Sequence, residues 1–454
     1  MKKLLILAYD FPPYVSVGGL RPNFWYKHLA SYGVYPVVVT RQWSNRYGNK
    51  LDYVAPGYSP NLETEETPFG TLIRTPYKPN LANRLLLRFG DQRFVLIRRL
   101  ISAWHELMQY VFLIGPKAGL YRGAKQYLKE NKVDAIIATG NPFILFRYAA
   151  KLSRKHGVPW IADYRDPWLI SNNQKPNFPA NMWLAFFERR YMRNVKCITT
   201  VSSFFKTLIE QNLPGKRFKV LPNGYDPDAI ERARVIEQGS HNLSIALVGH
   251  IYPYHPWKAF LRVCNQWLND NPGARFRLDF YGINIPEEVE QFLATDCQAL
   301  ESKFTIHAKT PNHLLMPKLA NANLFLLFNN YSVVHTKFYE FVALKRRIML
   351  CFTNDEEAIQ LKALNYPLQD LETESSRIQE ELINQTRSGI NVTDRDHLYR
   401  VLDDCYREFE TKGFIDCNPI GEEQFSRLIQ VEQLAKLVEE VCNEQTMPTV
   451  ERIS

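Results

Sequence analysis

Residues 4–8 read LLILA, residues 9–13 read YDFPP, and the glycine pair Gly18-Gly19 follows shortly afterwards. A short apolar run that ends in a turn is typical of a strand buried on both faces of a parallel sheet. The next helix is predicted to begin near Arg21, with Pro22 in its first turn. A strand, a glycine loop and a helix start in this order predict a place where a phosphate can approach the backbone, although a tight turn without function would use the same two glycines.

The opening also resembles the apolar part of a secretory signal peptide, but YDFPP offers no small-residue cleavage site. The run is too short to cross a bilayer, and no later segment reaches the roughly 18 uncharged apolar residues that a membrane-spanning helix needs. The seven cysteines include no C-x-x-C pair, so neither a zinc site nor a disulfide framework is expected. Isolated thiols are typical of a reducing compartment, and we therefore expect a cytoplasmic protein.

Short apolar runs alternate with helical stretches along the whole chain, a pattern that predicts doubly wound α/β domains with parallel sheets. The pattern restarts after a polar stretch at residues 234–242, so two successive α/β domains are expected. The predicted strands cover residues 4–8, 36–40, 134–139, 159–163 and 197–201 in the first half, and residues 243–249, 275–281, 304–308, 324–328 and 347–352 in the second. The predicted helices cover residues 21–32, 143–156, 181–193, 203–211, 257–269, 287–298, 313–320 and 338–344, with a closing amphipathic helix at residues 422–443.

The net charge of +9 is unevenly distributed along the chain. Residues 1–225 carry a net charge of +20, and residues 226–454 carry −11. A basic and an acidic half predict two domains with different partners, and the basic half can face nucleic acid, anionic lipid or a phosphorylated substrate. The basic residues form no recognised nucleic-acid-binding motif and the acidic half would oppose such binding, so no nucleic-acid partner is expected.

Residues 81–123 differ from the rest of the first half because arginines alternate there with large apolar residues. This pattern is typical of a basic amphipathic helix that lies at an anionic membrane surface. The alternative is an ordinary helix of the domain with a solvated basic face. The candidate membrane residues are Arg84, Arg88, Arg93, Arg98, Arg99 and Trp104.

Two carboxylates flank an arginine at the end of the predicted strand at residues 159–163, in the order Asp163, Arg165, Asp166. Ligands of open α/β sheets bind at the carboxyl ends of the strands. One carboxylate could orient a sugar hydroxyl or accept a proton, and Arg165 could pair with a phosphate or a carboxylate. A structural arginine–aspartate pair is the alternative.

The second half has its own candidate residues at strand ends and at one helix start. Gly249-His250 ends a predicted strand, and Lys258 follows after an aromatic, proline-rich loop. Lys337 adds positive charge near a helix start, Thr336 is a candidate cap, and Glu340 could hold ribose hydroxyls. A capped helix without function would show the same residues.

Taken together, these signals resemble the large family-four group of retaining glycosyltransferases (glycosyl transferases group 1), which have the GT-B fold. A strand that ends in Val201-Ser202, followed by PNGYD at residues 222–226, is typical of the interdomain segment of this family. The resemblance spans most of the chain and is stronger over residues 1–230 than after them. Its other carriers are residues 9–13 with Gly18-Gly19, residues 163–168, residues 200–203 and TKFYE at residues 336–340.

The resemblance implies two Rossmann-like domains that face each other across a cleft. They are an acceptor-side domain at residues 1–225 with the basic insertion at residues 81–123, and a donor-binding domain at residues 226–421, followed by a C-terminal helix and tail at residues 422–454. The donor would be a nucleotide-diphosphate-sugar, and no metal cofactor would be needed because basic side chains and helix N-termini stabilise the leaving group. The candidate donor-binding residues are Gly18, Gly19, Asn223, Gly249, His250, Lys258, Thr336, Lys337 and Glu340, and the candidate catalytic residues are Asp163, Arg165, Asp166 and Lys337.

The chain departs from the family pattern at several positions. A histidine often follows the strand at residues 134–139, where this chain reads Gly140-Asn141-Pro142, and Ser332 replaces the first of two glutamates. The usual arginine and lysine after the first strand of the second domain are reduced to Lys258, and residues 345–347 (KRR) replace a small Gly-Pro segment. A degenerate member without catalytic activity is therefore an alternative.

The sequence predicts a retaining transferase that builds a surface polysaccharide or glycolipid. Its acceptor would be polyprenyl-linked or otherwise held at a membrane surface, and the protein would bind anionic lipid at the cytoplasmic face of the inner membrane. The alternative enzyme is a sugar-nucleotide epimerase of the same fold. Such an epimerase would turn over a nucleotide sugar without an acceptor and would not need the arginine-rich insertion.

Overall fold

A computed structural model of the chain describes residues 1–43, 51–169, 178–368 and 377–446. The chain forms two compact units, of which the first contains residues 1–222 together with the residues from 428 onward, and the second contains residues 223–427. Each unit is an α/β domain built on a largely parallel sheet. The prediction of two doubly wound α/β domains is therefore confirmed.

The first unit is built on an eight-stranded sheet. Its strands are β1 (Lys2–Leu7), β2 (Val34–Arg41), β3 (Glu63–Thr67), β4 (Gly70–Thr75), β5 (Ala135–Gly140), β6 (Trp160–Tyr164), β7 (Cys197–Thr200) and β8 (Phe218–Val220). Their order across the sheet is β3-β4-β2-β1-β5-β6-β7-β8. All neighbouring pairs are parallel except β3 and β4, which form an antiparallel hairpin at one edge.

Helices flank this sheet and supply the other half of its core. They are α1 (Val17–His28), α2 (Leu81–Phe89), α3 (Val95–Met108), α4 (Ala118–Glu130), α5 (Ile144–His156), α6 (Phe178–Met192) and α7 (Ser203–Asn212). The central strands are fully buried because their residues are apolar on both faces, as in Leu4 to Leu7 of β1 and Val37 to Val39 of β2.

The second unit has a six-stranded sheet in which every neighbouring pair is parallel. Its elements are α8 (Pro227–Arg234), β9 (Leu243–Val248), α9 (Trp257–Asp270), β10 (Phe276–Tyr281), α10 (Pro286–Asp296), α11 (Gln298–Glu301), β11 (Phe304–His307), α12 (Asn312–Asn321), β12 (Leu324–Phe328), α13 (Thr336–Leu344), β13 (Arg347–Cys351), α14 (Glu356–Asn365), α15 (Ile378–Thr386), β14 (Gly389–Val392) and α16 (Arg395–Lys412). The strand order is β11-β10-β9-β12-β13-β14. The topological switch point of this doubly wound sheet therefore lies between β9 and β12.

The first helix begins earlier than predicted. Ser16 is the N-cap of α1, and its hydroxyl oxygen accepts a hydrogen bond from the backbone N–H of Gly18 at 3.0 Å. Gly18 and Gly19 therefore lie in the first turn of the helix and not in a loop before it, and Pro22 lies inside the helix. The prediction placed Pro22 in the first turn, whereas the helix begins after Ser16, whose side chain caps it.

The last helix, α17 (Arg427–Thr446), returns to the first unit. Its residues Val431, Leu434 and Val438 are fully buried in the same hydrophobic cluster as Leu4 and Ile6 of β1. Full burial of such side chains stabilises a fold by about 1.5–3 kcal/mol each. The core of the first unit is thus completed by residues from both ends of the described chain.

Candidate functional site

Asp163 lies in β6 and is fully buried. Its Oδ1 accepts hydrogen bonds from Arg21 Nη2 at 3.0 Å and from Thr199 Oγ1 at 2.8 Å, and its Oδ2 accepts one from Thr139 Oγ1 at 2.8 Å. Arg21 also donates to the carbonyl oxygen of Leu221 at 3.0 Å. The catalytic role predicted for Asp163 does not fit this environment, because both carboxylate oxygens are used to tie α1, β5 and β7 to β6.

We expect Asp163→Asn to lower the free energy of unfolding by about 1.5–3 kcal/mol, because it removes the charge that the buried Arg21 guanidinium binds. Urea unfolding measures this change. Asp404→Asn is the matched control, since the side chain of Asp404 is 75% exposed and the same substitution there should stay within about 0.5 kcal/mol. Equal stability of the two variants would contradict the structural role of Asp163.

Arg165 lies just after β6 and is held by two backbone carbonyl groups at the end of β5. Its Nε donates to Gly140 O at 2.5 Å and its Nη2 donates to Asn141 O at 2.7 Å. Its remaining nitrogen, Nη1, lies over Gly18: a Cβ atom at Gly18 would be 2.4 Å from Nη1 and 2.7 Å from Asp10 Oδ2. Gly18 is therefore a glycine because these two side chains close over it, whereas the sequence suggested room for a diphosphate.

In the second unit, the loop after β9 and the start of α13 lie side by side. Gly249 has a φ of +103°, a conformation that favours glycine, and His250 is exposed beside it. The ring of Tyr252 lies nearly parallel to those of His250 and His335, with centroid distances of 6.2 Å and 6.0 Å. The structure thus brings Gly249 and His250 close to the predicted donor-binding helix, as neighbouring parallel strands β9 and β12 require.

Lys337 and Glu340 form an ion pair one helical turn apart on α13. Lys337 Nζ lies 2.7 Å from Glu340 Oε2 and donates a hydrogen bond to Asn312 Oδ1 at 3.1 Å. Asn312 Nδ2 donates to Glu340 Oε1 at 3.3 Å, so Asn312 bridges the two charged residues. Glu340 is only 1% exposed. The sequence did not single out Asn312, although it begins the helix that follows β11 and so stands at the same carboxyl edge of the sheet.

The predicted cap of α13 was wrong by one residue. His335 is the N-cap residue, its side chain makes no capping hydrogen bond, and Thr336 is the first residue of the helix. A helix whose first N–H groups are not capped by a side chain offers them to water or to an anion. The side chain of Lys337 stands in this first turn, so an ammonium group and the positive end of the helix lie together.

Two further predicted donor-binding residues lie elsewhere in the second unit. Lys258 Nζ is 3.5 Å from Glu288 Oε1, and it lies over the rings of Trp257 and Phe292, so its ammonium group turns to α10 and not to the start of α13. Asn223 is half-buried at the beginning of the unit, directly before Gly224. The structure does not gather Lys258 with Lys337.

The arginine that replaces part of the family's Gly-Pro segment has a structural role. Arg346 is buried and donates hydrogen bonds to the carbonyl oxygens of Ala320 at 2.6 Å and 2.9 Å, Leu344 at 3.1 Å and Ile236 at 2.8 Å. Ala320 and Leu344 stand in the last turns of α12 and α13, whose final carbonyl groups lack partners within their own helices. Arg346 therefore joins the C-terminal ends of α12 and α13 to Ile236.

The arginine-rich segment leaves one face of α3 uncovered. None of the residues from Val95 to Met108 is buried, and α2 buries only Ala82 and Leu86. The most exposed apolar side chains of α3 follow one another at every fourth position: Leu96 at 74%, Leu100 at 72% and Trp104 at 55% exposure. Among the described residues, no helix combines the length and apolar character needed to cross a membrane.

Comparisons with known proteins agree with this architecture. Residues 26–229 match the family profile described as Glycosyltransferase Family 4. Sucrose-phosphate synthase from Thermosynechococcus elongatus has a similar fold at 13% sequence identity, with 98% of this chain and 100% of that chain covered and a TM-score of 0.59. An α,α-trehalose-phosphate synthase (UDP-forming) from Burkholderia vietnamiensis is similar at 12% identity, with 99% of each chain covered and a TM-score of 0.59.

The Anabaena protein HepE, solved in complex with UDP-glucose, is similar at 11% identity, with 97% of this chain and 100% of that chain covered and a TM-score of 0.53. No curated protein matches the chain in sequence. At these identities the solved structures establish the fold alone, which is the GT-B fold of two α/β domains. The chain therefore has this fold, and its residues 26–229 are similar to Glycosyltransferase Family 4.

Proposed function

We propose that this protein is a glycosyltransferase and takes a sugar from a nucleotide-diphosphate-sugar that binds at the start of α13 in the second unit, without a metal cofactor. The observation that carries the proposal is the uncapped helix start with Lys337 in its first turn and Glu340 one turn further on. Backbone N–H groups and an ammonium group at one place suit a diphosphate. The Anabaena protein HepE has been solved with UDP-glucose, and an E. coli trehalose-6-phosphate protein of similar fold with UDP-2-fluoro glucose.

The contacts of Glu340 suggest how the donor is accepted. Its two carboxylate oxygens bind Lys337 and Asn312, so the residue is already ordered before a nucleotide arrives. When a diphosphate attracts the ammonium group of Lys337, Oε2 of Glu340 becomes available to the hydroxyl groups of a ribose. Such an exchange leaves both carboxylate oxygens of Glu340 with hydrogen-bond partners, which matters because a buried carboxylate oxygen without a partner is costly.

Glu340→Ala is expected to weaken nucleotide binding by about 1.5–3 kcal/mol, the range measured for hydrogen bonds to charged groups. Calorimetry with UDP and with its 2′,3′-dideoxy analogue separates the ribose contact from other effects. Wild-type protein should prefer UDP, and the variant should lose that preference. An unchanged preference in the variant would remove Glu340 from the ribose site.

A thermal-shift panel of nucleotide sugars tests the proposal as a whole. A ligand that binds only the native protein raises the free energy of unfolding by RT ln(1 + [L]/Kd), about 2.7 kcal/mol at a hundredfold excess over Kd. We expect at least one nucleotide sugar to raise the melting temperature, and Lys337→Met to reduce that rise. A panel in which no nucleotide sugar has any effect would refute the donor site.

The alternatives make different predictions in the same assays. A sugar-nucleotide epimerase would convert the stabilising nucleotide sugar without an acceptor. A transferase without an acceptor would only hydrolyse the nucleotide sugar slowly. A degenerate, non-catalytic member would bind the nucleotide sugar and never consume it. Ser332 in place of a family glutamate motivates this second alternative. Proton NMR of the product's anomeric configuration would test the proposed retention.

We also propose that the protein works at the cytoplasmic face of a membrane on a polyprenyl-linked or other membrane-held acceptor in surface polysaccharide or glycolipid synthesis. Support comes from the exposed stripe of Leu96, Leu100 and Trp104 on α3, which lies in a half of the chain with a net charge of +20. A helix of this kind can bury its apolar face at the boundary between headgroups and acyl chains, while its arginines bind lipid phosphates. The occupant of this face would be an anionic bilayer.

A further inference from the structure

Asp10 of the first unit has a buried carboxylate oxygen that no protein group of the described residues binds. It follows β1 at the carboxyl edge of the first unit's sheet, where ligands of such sheets bind. One carboxylate oxygen, Oδ2, accepts a hydrogen bond from Ser16 Oγ at 2.7 Å. The other, Oδ1, is buried and has no hydrogen-bond partner within the described part of the chain. A buried carboxylate oxygen without a partner costs about 1–3 kcal/mol or more, so this position points to a ligand.

The Arg165 guanidinium lies next to this carboxylate. Two of its nitrogens are fixed by backbone carbonyl groups, and the third lies over Gly18 together with Asp10 Oδ2. A fixed donor beside a fixed acceptor matches two neighbouring hydroxyl groups of a sugar ring, one of which donates while the other accepts. A phosphate would meet the Asp10 carboxylate as a like charge and is disfavoured there.

Two tyrosines near the carboxylate complete the polar set. Burial, and after it the negative charge of Asp10, raise the pKa of Tyr14 to about 12, and the same two causes in the same order raise the pKa of Tyr53. Both phenols therefore stay protonated at neutral pH. Burial also raises the pKa of Asp10, an effect that Ser16 and Arg165 oppose. Phenols, a carboxylate and a guanidinium are the groups that hold uncharged hydroxyl-rich ligands.

We propose that Asp10 binds a hydroxyl group of the acceptor's terminal sugar through Oδ1, beside Arg165, and so positions the acceptor at the carboxyl edge of the first unit's sheet. This assignment rests on the proposed transferase function and adds a positioning residue and a substrate class to it. The competing role for Asp10 is to balance the charge of the buried Arg41, whose guanidinium lies between the rings of Trp43 and Tyr77.

The test uses the full chain and three probes of known structure, the methyl α-glycosides of glucose, mannose and galactose. Saturation-transfer NMR measures their affinity for wild-type protein and for Asp10→Asn. We expect at least one glycoside to bind wild-type protein in the millimolar range and to bind Asp10→Asn about tenfold to a hundredfold more weakly. Arg165→Lys keeps the charge but not the fork and should also weaken it. Asp404→Asn is the matched control, an exposed aspartate of α16 that should leave glycoside affinity unchanged.

The outcomes separate the competing roles. Equal glycoside affinity of Asp10→Asn and wild-type protein would overturn the proposal, and a lower melting temperature with that result would assign Asp10 to the balance of Arg41. Failure of all three glycosides to bind wild-type protein would overturn it as well. If glycoside binding depends on Asp10 but no nucleotide sugar shifts the melting temperature, Asp10 belongs to a sugar-binding site and the proposed transferase function is refuted.

Discussion

Lys337→Met is expected to lower kcat by about 10²–10³-fold with whichever nucleotide sugar stabilises the protein. The negative charge of the leaving diphosphate grows in the transition state, and removing one preorganised stabiliser of such charge typically costs that much. Affinity for the free nucleoside should change much less, because a nucleoside carries no diphosphate. Methionine keeps the length and apolar stem of lysine and removes only the ammonium group. Steady-state kinetics and nucleoside calorimetry measure the two quantities.

The ion pair with Glu340 complicates this variant, and a second variant resolves the difficulty. Lys337→Met leaves the buried Glu340 carboxylate with Asn312 as its remaining hydrogen-bond partner among the contacts described above. The double variant Lys337→Met/Glu340→Gln removes that unpaired charge. If the loss of turnover came from the stranded carboxylate, the double variant would recover kcat, and we expect no recovery. Lys318→Met, on the exposed side of α12, is the matched control. Equal losses for nucleoside affinity and turnover would instead indicate a folding defect.

Changing Arg84, Arg88, Arg93 and Arg99 to Gln is expected to reduce partitioning onto anionic vesicles roughly a thousandfold at low salt. Each basic residue near an anionic surface contributes about 1 kcal/mol, and 1.4 kcal/mol corresponds to a tenfold change. Arg98 is left in place because its side chain donates hydrogen bonds to the carbonyl oxygens of Asp91 and Arg93 and so holds the turn before α3. Co-sedimentation with phosphatidylglycerol vesicles at several salt concentrations measures the effect.

The control for this variant removes the same charge from the first unit outside the basic insertion. Lys129, Lys132, Lys155 and Lys196 are all exposed, and their change to Gln should leave most of the vesicle binding intact. Equal losses in both variants would show that net charge alone attracts the protein to the surface. Added salt should weaken wild-type binding, since screening shortens the reach of these charges. Wild-type protein that fails to co-sediment at any salt concentration would end the membrane proposal.

The central strands were predictable because they are apolar on both faces. The run at residues 4–8 and the valines of residues 37–39 are strands within one or two residues of the predicted bounds. The hairpin of β3 and β4 was missed because β3 reads ETEET, an edge strand with one solvated face and no apolar run. β14 was missed for a similar reason, since it is short and half-buried at the other sheet's edge.

The candidate site was only partly predictable from the sequence. Strand ends and a helix start located Lys337, Glu340 and His250, because topology alone brings such positions to one edge of a sheet. The partners of individual side chains could not be predicted. Residue type alone did not reveal that Asp163 accepts hydrogen bonds from Arg21 and two threonines. The pairing of Lys258 with Glu288 across α9 and α10 was equally hidden. These contacts depend on distances between segments that are far apart in the sequence.

The return of α17 to the first unit has a consequence for how the protein is made. A ribosome releases β1 before the second unit, and Val431, Leu434 and Val438 only after it, at about 5–20 residues per second. Until then, the face of the sheet that these side chains cover stays open to water or to a chaperone. The second unit contains all of its own strands and is complete sooner after its last residue emerges. The first unit therefore begins before the second unit and is completed after it, and a nascent chain arrested before residue 428 exposes apolar surface that the folded protein buries.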